Sequence, residues 1–231
     1  MEMYQKLVIS GKFLEFYDFP NCISGYLGRT LTKLKKDVID GLSDSFEKRD
    51  DNIIRTRQNI RRLINSNADL NKFITLTFSD NITDVENANL HFKKFILRLK
   101  YKFSELKYLT VIEFQKRGAV HYHMVCNMPY INKFILSEIW GNGFIKINRI
   151  NNCDNVGAYV SKYLSKEMGF KMFKKKKFFC SRDLERPLVV VDNLLIDKLK
   201  DLYKTRDMKP RCEKVFYNNF VGIVRYYQFK I

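Results

Sequence analysis

Histidine is scarce in this chain: three occur in 231 residues, beside one tryptophan and four prolines. A zinc finger or a multi-histidine hydrolase would have few ligands to draw on, so a histidine pair sharing one element carries more weight. The five cysteines, Cys22, Cys126, Cys153, Cys180 and Cys212, are scattered, odd in number and free of C-x-x-C spacing, which argues for reduced thiols. No apolar run is long enough to span a bilayer, and the first residues lack the basic start, apolar stretch and cleavage site of a signal peptide. The expectation is a soluble, cytoplasmic protein without a membrane partner. A phosphate-loop motif is also missing, so no helicase motor is expected within these residues. Acidic charge is the last shortage. Twenty-five Asp and Glu face 42 Lys and Arg, and the resulting +17 favours a polyanion such as nucleic acid as partner. At this length, one buried core with appendages is favoured over two small domains.

What is present reads as alternating strands and helices. Residues 46–64 place Ile53, Ile60, Leu63 and Ile64 on one helical face, with five arginines around the rest: a basic amphipathic helix, either simply solvated or in contact with phosphate. Before it lie turn signals around Phe19, Pro20 and Asn21 and no clear period. FITLTF (73–78) alternates as a strand. Asp84 then caps a helix whose apolar face is Val85, Ala88, Phe92, Phe95, Ile96 and Leu99. Strand-like runs follow at 108–115 and 120–128, then a helix with Ile131, Phe134, Ile135, Ile139 and Trp140. A Gly141-Asn142-Gly143 break leads to a short strand at 144–149. Residues 151–154 offer caps for a further helix through Glu167. The order β-α-β-β-α-β with a following helix predicts an α+β fold, a central antiparallel sheet of ferredoxin-like connectivity. Beyond residue 170 come a lysine block at 174–177 and a run at 188–199 that suits either a strand or a helix.

The loop Lys116-Arg117-Gly118 fits a three-residue hairpin whose last position is left-handed, which glycine adopts without strain. If Gln115 pairs with Ala119, Glu113 lies opposite His121, and His123 is its diagonal neighbour on the same face. Ile112, Phe114, Val120, Tyr122, Met124 and Cys126 then line the other face, to be covered by helices. By the same alternation Ile74, Leu76 and Phe78 point inward and Thr75 and Thr77 to the open side. Two imidazoles and a carboxylate are thus gathered within reach of one ion, with Gln115 as a reserve ligand.

VGAYVSKYLSK (156–166) sets Tyr159 and Tyr163 at i and i+4 on one helical face, with Lys162 and Lys166 forming a second row. Seen alone, such a pair is more often the margin of an amphipathic helix whose core is Val156, Val160 and Leu164. The neighbouring parts change that weighing. A phenol with a pKa of about 10 is a poor nucleophile at neutral pH. It needs positive charge nearby, and an attacked phosphate needs its charge offset by a Lewis-acidic cation and a lysine.

FITLTF, EFQKRGAVHYH and YVSKYLSK, in this order and spacing, resemble the three motifs of the HUH endonucleases, in particular phage and plasmid replication initiators with two tyrosines. FCSRDLERP is similar to a segment recurring in phage-type members. Together these cover residues 71–187, about half of the chain. The resemblance implies that His121 and His123 bind a metal, Mg²⁺ or Mn²⁺, with Glu113 in the place of the third ligand. It also implies that Tyr159 and Tyr163 are the nucleophiles and Lys162 their basic companion. The implied activity is sequence-specific nicking and rejoining of single-stranded or hairpin DNA at a replication origin through a 5′-phosphotyrosine link. The setting would be the cytoplasm of a host that supplies polymerase and helicase. On this reading residues 1–70 form a basic, partly helical extension, 71–170 the nuclease core and 171–231 a basic C-terminal extension. The alternatives within the group are a transposase or a conjugative relaxase. Outside it stand a noncatalytic nucleic-acid-binding module on the same sheet, and a two-histidine, one-carboxylate iron oxygenase or a zinc hydrolase.

Overall fold

The computed structural model describes residues 4–20, 45–150, 155–164, 176–218 and 222–231. Cys22, Cys153, the cap positions 151–154, Lys166 and the helix end at Glu167 lie outside the described residues, as does the first half of the lysine block. The chain divides into two compact units, Met1–Ser45 with Arg186–Ile231, and Phe46–Glu185. Among the described residues there are two antiparallel five-stranded sheets and five α-helices, as expected for an α+β protein. No helix among them is long and apolar enough to cross a membrane.

The first unit joins both ends of the chain. β1 (Tyr4–Ser10) and β2 (Phe13–Phe19) form a hairpin, flanked by β8 (Leu188–Val190) on one side and by β10 (Gly222–Lys230) and β9 (Cys212–Asn218) on the other. One face carries Leu7, Leu14, Phe16, Val190 and Phe229, which cluster with Ile196 of helix α5 (Asn193–Leu202). Asp192 caps α5 by accepting a hydrogen bond from the Leu195 amide at 2.9 Å. The run 188–199, readable as strand or helix, is therefore both in succession.

In the second unit the connectivity is that of a split β-α-β. β3 (Lys72–Phe78), α2 (Val85–Lys102), β4 (Tyr108–Phe114), β5 (Val120–Cys126), α3 (Lys133–Trp140) and β6 (Gly143–Arg149) follow in order. The sheet runs β6-β3-β5-β4, which is the ferredoxin-like order, and β7 (Phe178–Cys180) adds an edge strand beside β4. All six residues of the predicted α2 face are buried, and Asp84 accepts from the amides of Glu86 and Asn87. This helix packs on the sheet through Phe92, whose ring stacks on Tyr122 at 4.5 Å, while the buried Tyr122 hydroxyl donates to Asn89. In α3 the buried side chains are Leu136 and Trp140; Phe134 and Ile135, expected inward, are exposed.

The opposite face of the sheet is not left open along its whole length. Helix α1 (Ser45–Ser66) contributes Ile53, Ile60, Leu63 and Ile64 to the same buried cluster as Phe73, Leu109 and Val111. The short helix α4 (Val156–Ser161), capped by Asn155 through the Ala158 amide at 2.8 Å, lies directly against α1. At Gly157 the approach is so close that a Cβ would sit 2.4 Å from the Arg61 carbonyl oxygen and 2.7 Å from Asn65 Oδ1. Arg57 Nε donates to the Leu164 carbonyl at 2.7 Å, fixing the turn that follows α4. Asn67, buried beyond the end of α1, donates to the carbonyls of Leu63 and Glu185 and accepts from the Glu185 amide.

Candidate metal centre and tyrosine pair

The site grows out of the β4–β5 hairpin. Gln115 and Ala119 close it with a 2.9 Å backbone bond, and Gly118 takes φ +89, the left-handed value the loop demands. The resulting register pairs Glu113 with His121, and the neighbouring β3 pairs Thr75 with His123 and Thr77 with His121. Both expectations from the sequence are met. Ligand atoms of Glu113, His121 and His123 lie within 4.8 Å of one another. The third histidine does not join them: His91, on α2, packs its ring against Phe78 on the helix-covered side. Gln115, the reserve ligand, is engaged by Arg117, whose Nε donates to its Oε1 at 2.8 Å.

Within the cluster, His123 Nε2 is 2.6 Å from Glu113 Oε2 and His123 Nδ1 is 3.3 Å from Thr75 Oγ1. His121 differs, because its buried Nε2 has no hydrogen-bond partner. A buried nitrogen without a partner costs free energy unless something fills its lone pair, and a divalent cation does so. Burial, the nearby His123 and the cation of Arg117 hold the His121 pKa below its ordinary value against the pull of Glu113. The ring is thereby kept neutral, the form that coordinates. These residues fit a metal. The donor set of two imidazoles and a carboxylate suits Mg²⁺ or Mn²⁺ in phosphate chemistry and also admits zinc or iron.

The tyrosines sit over this cluster. Tyr163 stacks on the His123 ring with centroids 3.7 Å apart, and the hydroxyls of Tyr159 and Tyr163 are hydrogen-bonded at 2.8 Å. The expected helix is shorter than its sequence period: Tyr159 lies within α4, whereas Tyr163 lies in the turn after it. Burial, the hydrogen bond to Tyr159, the Tyr159 charge and Glu113 all raise the Tyr163 pKa. Tyr159, 42% exposed, is the more accessible of the two. Lys162 caps the C-terminus of α4, is exposed, and makes no ion pair among the described residues. Phe73 was not singled out from the sequence. Buried at 3% exposure, it stacks on both His123 and Tyr163 and meets Tyr159 edge-on, so one ring touches three of the site's side chains. Its signal was its parity with Thr75 along β3.

The fold and site together define a class: an α+β protein whose antiparallel sheet presents a His-x-His pair and a glutamate beneath two tyrosines. Residues 71–168 match the family model for Replication-associated protein of the ORF2 type, and this region of the chain belongs to that family. The chain is also similar to the Phasyl DNA replicon protein arp of Escherichia coli, 31% identical over 125 residues that make up 41% of this chain and 42% of that protein. The match thus spans less than half the length of the relative. No solved structure matches. The resemblance to replication initiators read from the three motifs is borne out.

Proposed function

We propose that this protein initiates rolling-circle replication by nicking single-stranded DNA at an origin and later rejoining it. The observation that carries this reading is the pair of hydroxyls, 2.8 Å apart, on rings stacked against the His123 side of the candidate metal cluster. In the first transfer the Tyr159 oxygen attacks a backbone phosphorus. The new P–O(Tyr) bond forms as the P–O3′ bond breaks, and the phenolic proton ends on the departing 3′-oxygen. The products are a 5′-phosphotyrosine and a free 3′-hydroxyl for a polymerase. Because the link is an ester exchanged for an ester, attack by a 3′-hydroxyl reverses it without ATP, and a second tyrosine allows cutting and joining to alternate.

Each residue has a stated part. Glu113, His121 and His123 would hold Mg²⁺ or Mn²⁺, which when bound polarises the scissile phosphate as a Lewis acid. Tyr163 positions Tyr159 through their shared hydrogen bond and is the second nucleophile. Lys162, exposed beside Tyr159, meets phosphate oxygen and offsets developing charge. The excess of basic residues supports sequence-independent grip on the DNA backbone.

The test is covalent capture. Protein mixed with single-stranded origin DNA from its own replicon and Mg²⁺ or Mn²⁺ is expected to yield an adduct that survives denaturation and is abolished by EDTA. Folded, metal-loaded protein that forms no adduct with that DNA would refute the nicking activity and favour a noncatalytic binding module.

A further inference from the structure

β3 supplies none of the groups assigned above, although it runs hydrogen-bonded beside the strand of both histidines. Its register sets Thr75 opposite His123 and Thr77 opposite His121, so T-x-T matches H-x-H rung for rung. Directly paired residues of an antiparallel ladder share a face with Cβ atoms about 5 Å apart. Thr75 uses that closeness: its Oγ1 lies 3.3 Å from His123 Nδ1, while Glu113 takes the other nitrogen at 2.6 Å. Of these two partners, the carboxylate only accepts, whereas the hydroxyl both donates and accepts. Stacking of Tyr163 on the ring at 3.7 Å restrains its tilt but not its rotation in its own plane.

We propose that Thr75 is a positioning residue of the metal centre, holding His123 Nδ1 so that Nε2 is aimed and ready for a cation. The proposal rests on the reading of Glu113, His121 and His123 as ligands. In the metal-free neutral ring, Nε2–H donates to Glu113 and Nδ1 accepts from the Thr75 hydroxyl. Coordination requires a bare Nε2, so the ring proton moves to Nδ1 and Thr75 Oγ1 accepts it. A hydroxyl serves both states by turning about its C–O bond; a methyl group serves neither. This gives the first sequence motif a role that alternation alone does not assign.

The full chain, with Thr75→Val and Thr75→Ser, is titrated with Mn²⁺ while the free ion is followed by its paramagnetic resonance signal. Valine keeps the shape and removes the hydroxyl, and should weaken Mn²⁺ binding about 10- to 100-fold, the range for lost outer-shell partners. Serine restores the hydroxyl and should restore the affinity. Nitrogen-15 spectra of the histidine rings should show the His123 proton on Nε2 without metal and on Nδ1 with Mg²⁺. Unchanged Mn²⁺ affinity in Thr75→Val overturns the proposal and leaves the metal centre standing. Equal losses in the valine and serine variants also overturn it. If the valine variant fails to fold, the wild-type spectra decide, since a His123 proton that stays on Nε2 with Mg²⁺ bound is incompatible with the role. A wild-type protein that binds no Mn²⁺ overturns instead the ligand assignment beneath it.

Discussion

Replacing Gly157 by alanine tests the seat of the tyrosines separately from their chemistry. The added methyl carbon would stand 2.4 Å from the Arg61 carbonyl oxygen, 2.7 Å from Asn65 Oδ1 and 2.9 Å from the Arg61 Cα, where ordinary contact begins at 3.4 Å. Two of the three atoms are backbone of α1, so side-chain rotation gives no relief. α4 must retreat by roughly 1 Å, the shortfall between those two distances. Overpacking of this kind costs about 1–3 kcal/mol, and in a chain of this size that lowers the melting temperature by about 2–12 °C. The larger effect falls on function. Tyr159 and Tyr163 ride on the displaced segment, and a 1 Å error in a reacting group can cost about 100-fold in rate. Adduct formation with origin DNA is measured beside thermal melting below the transition. Gly157→Ala with wild-type stability and wild-type adduct rate would refute the packing argument.

Other expectations concern the site and the core. His121→Ala and His123→Ala should abolish cleavage while leaving most of the salt-dependent DNA affinity, measured by fluorescence anisotropy over a salt series, because that affinity comes from Lys and Arg contacts to phosphate; cleavage at the wild-type rate under limiting metal would refute the ligand assignment. Tyr159→Phe should impair the first nick more than Tyr163→Phe, each single variant should still form some adduct, and the double variant none; an adduct with the double variant removes both from the mechanism. Burial pushes the Cys126 thiol up to about 11, so the thiolate is scarce at pH 8 and alkylation of Cys126 should track unfolding. Cys180 and Cys212 are only half-buried and should react in the native protein. Rapid labelling of native Cys126, located by peptide mass mapping, would contradict the packing of β5.

The candidate site was legible because it is local. A glycine-ended loop and a period of two sufficed to place Glu113, His121 and His123 together, since no residue outside the hairpin was needed for their register. Phe73 was legible only in parity: its burial depends on α1 and α4, which precede and follow it by long stretches of chain. The first unit was harder still. Leu7, Val8, Phe13, Leu14, Glu15 and Phe16 are all buried, so β1 and β2 show no inside-outside alternation to read. Their partners, β8 and β10, enter from the far end of the sequence, a pairing without a local signature. Tyr163 lies beyond the end of α4, and a helical spacing of four nonetheless predicted its neighbour correctly, because the turn after α4 keeps the two hydroxyls in contact.

The hairpin register constrains how this protein can vary among its descendants. One residue gained or lost between Gln115 and Ala119 would rotate the whole of β5 relative to β4, turning His121 and His123 toward the helices and Tyr122 outward in their place. Two residues would restore the faces but move Glu113 away from His121. Substitutions in this loop are therefore open to drift as long as its last position accepts a left-handed residue, while changes in its length are closed. A lineage that shed the chemistry would be recognised by an altered loop length before any change at the histidines themselves.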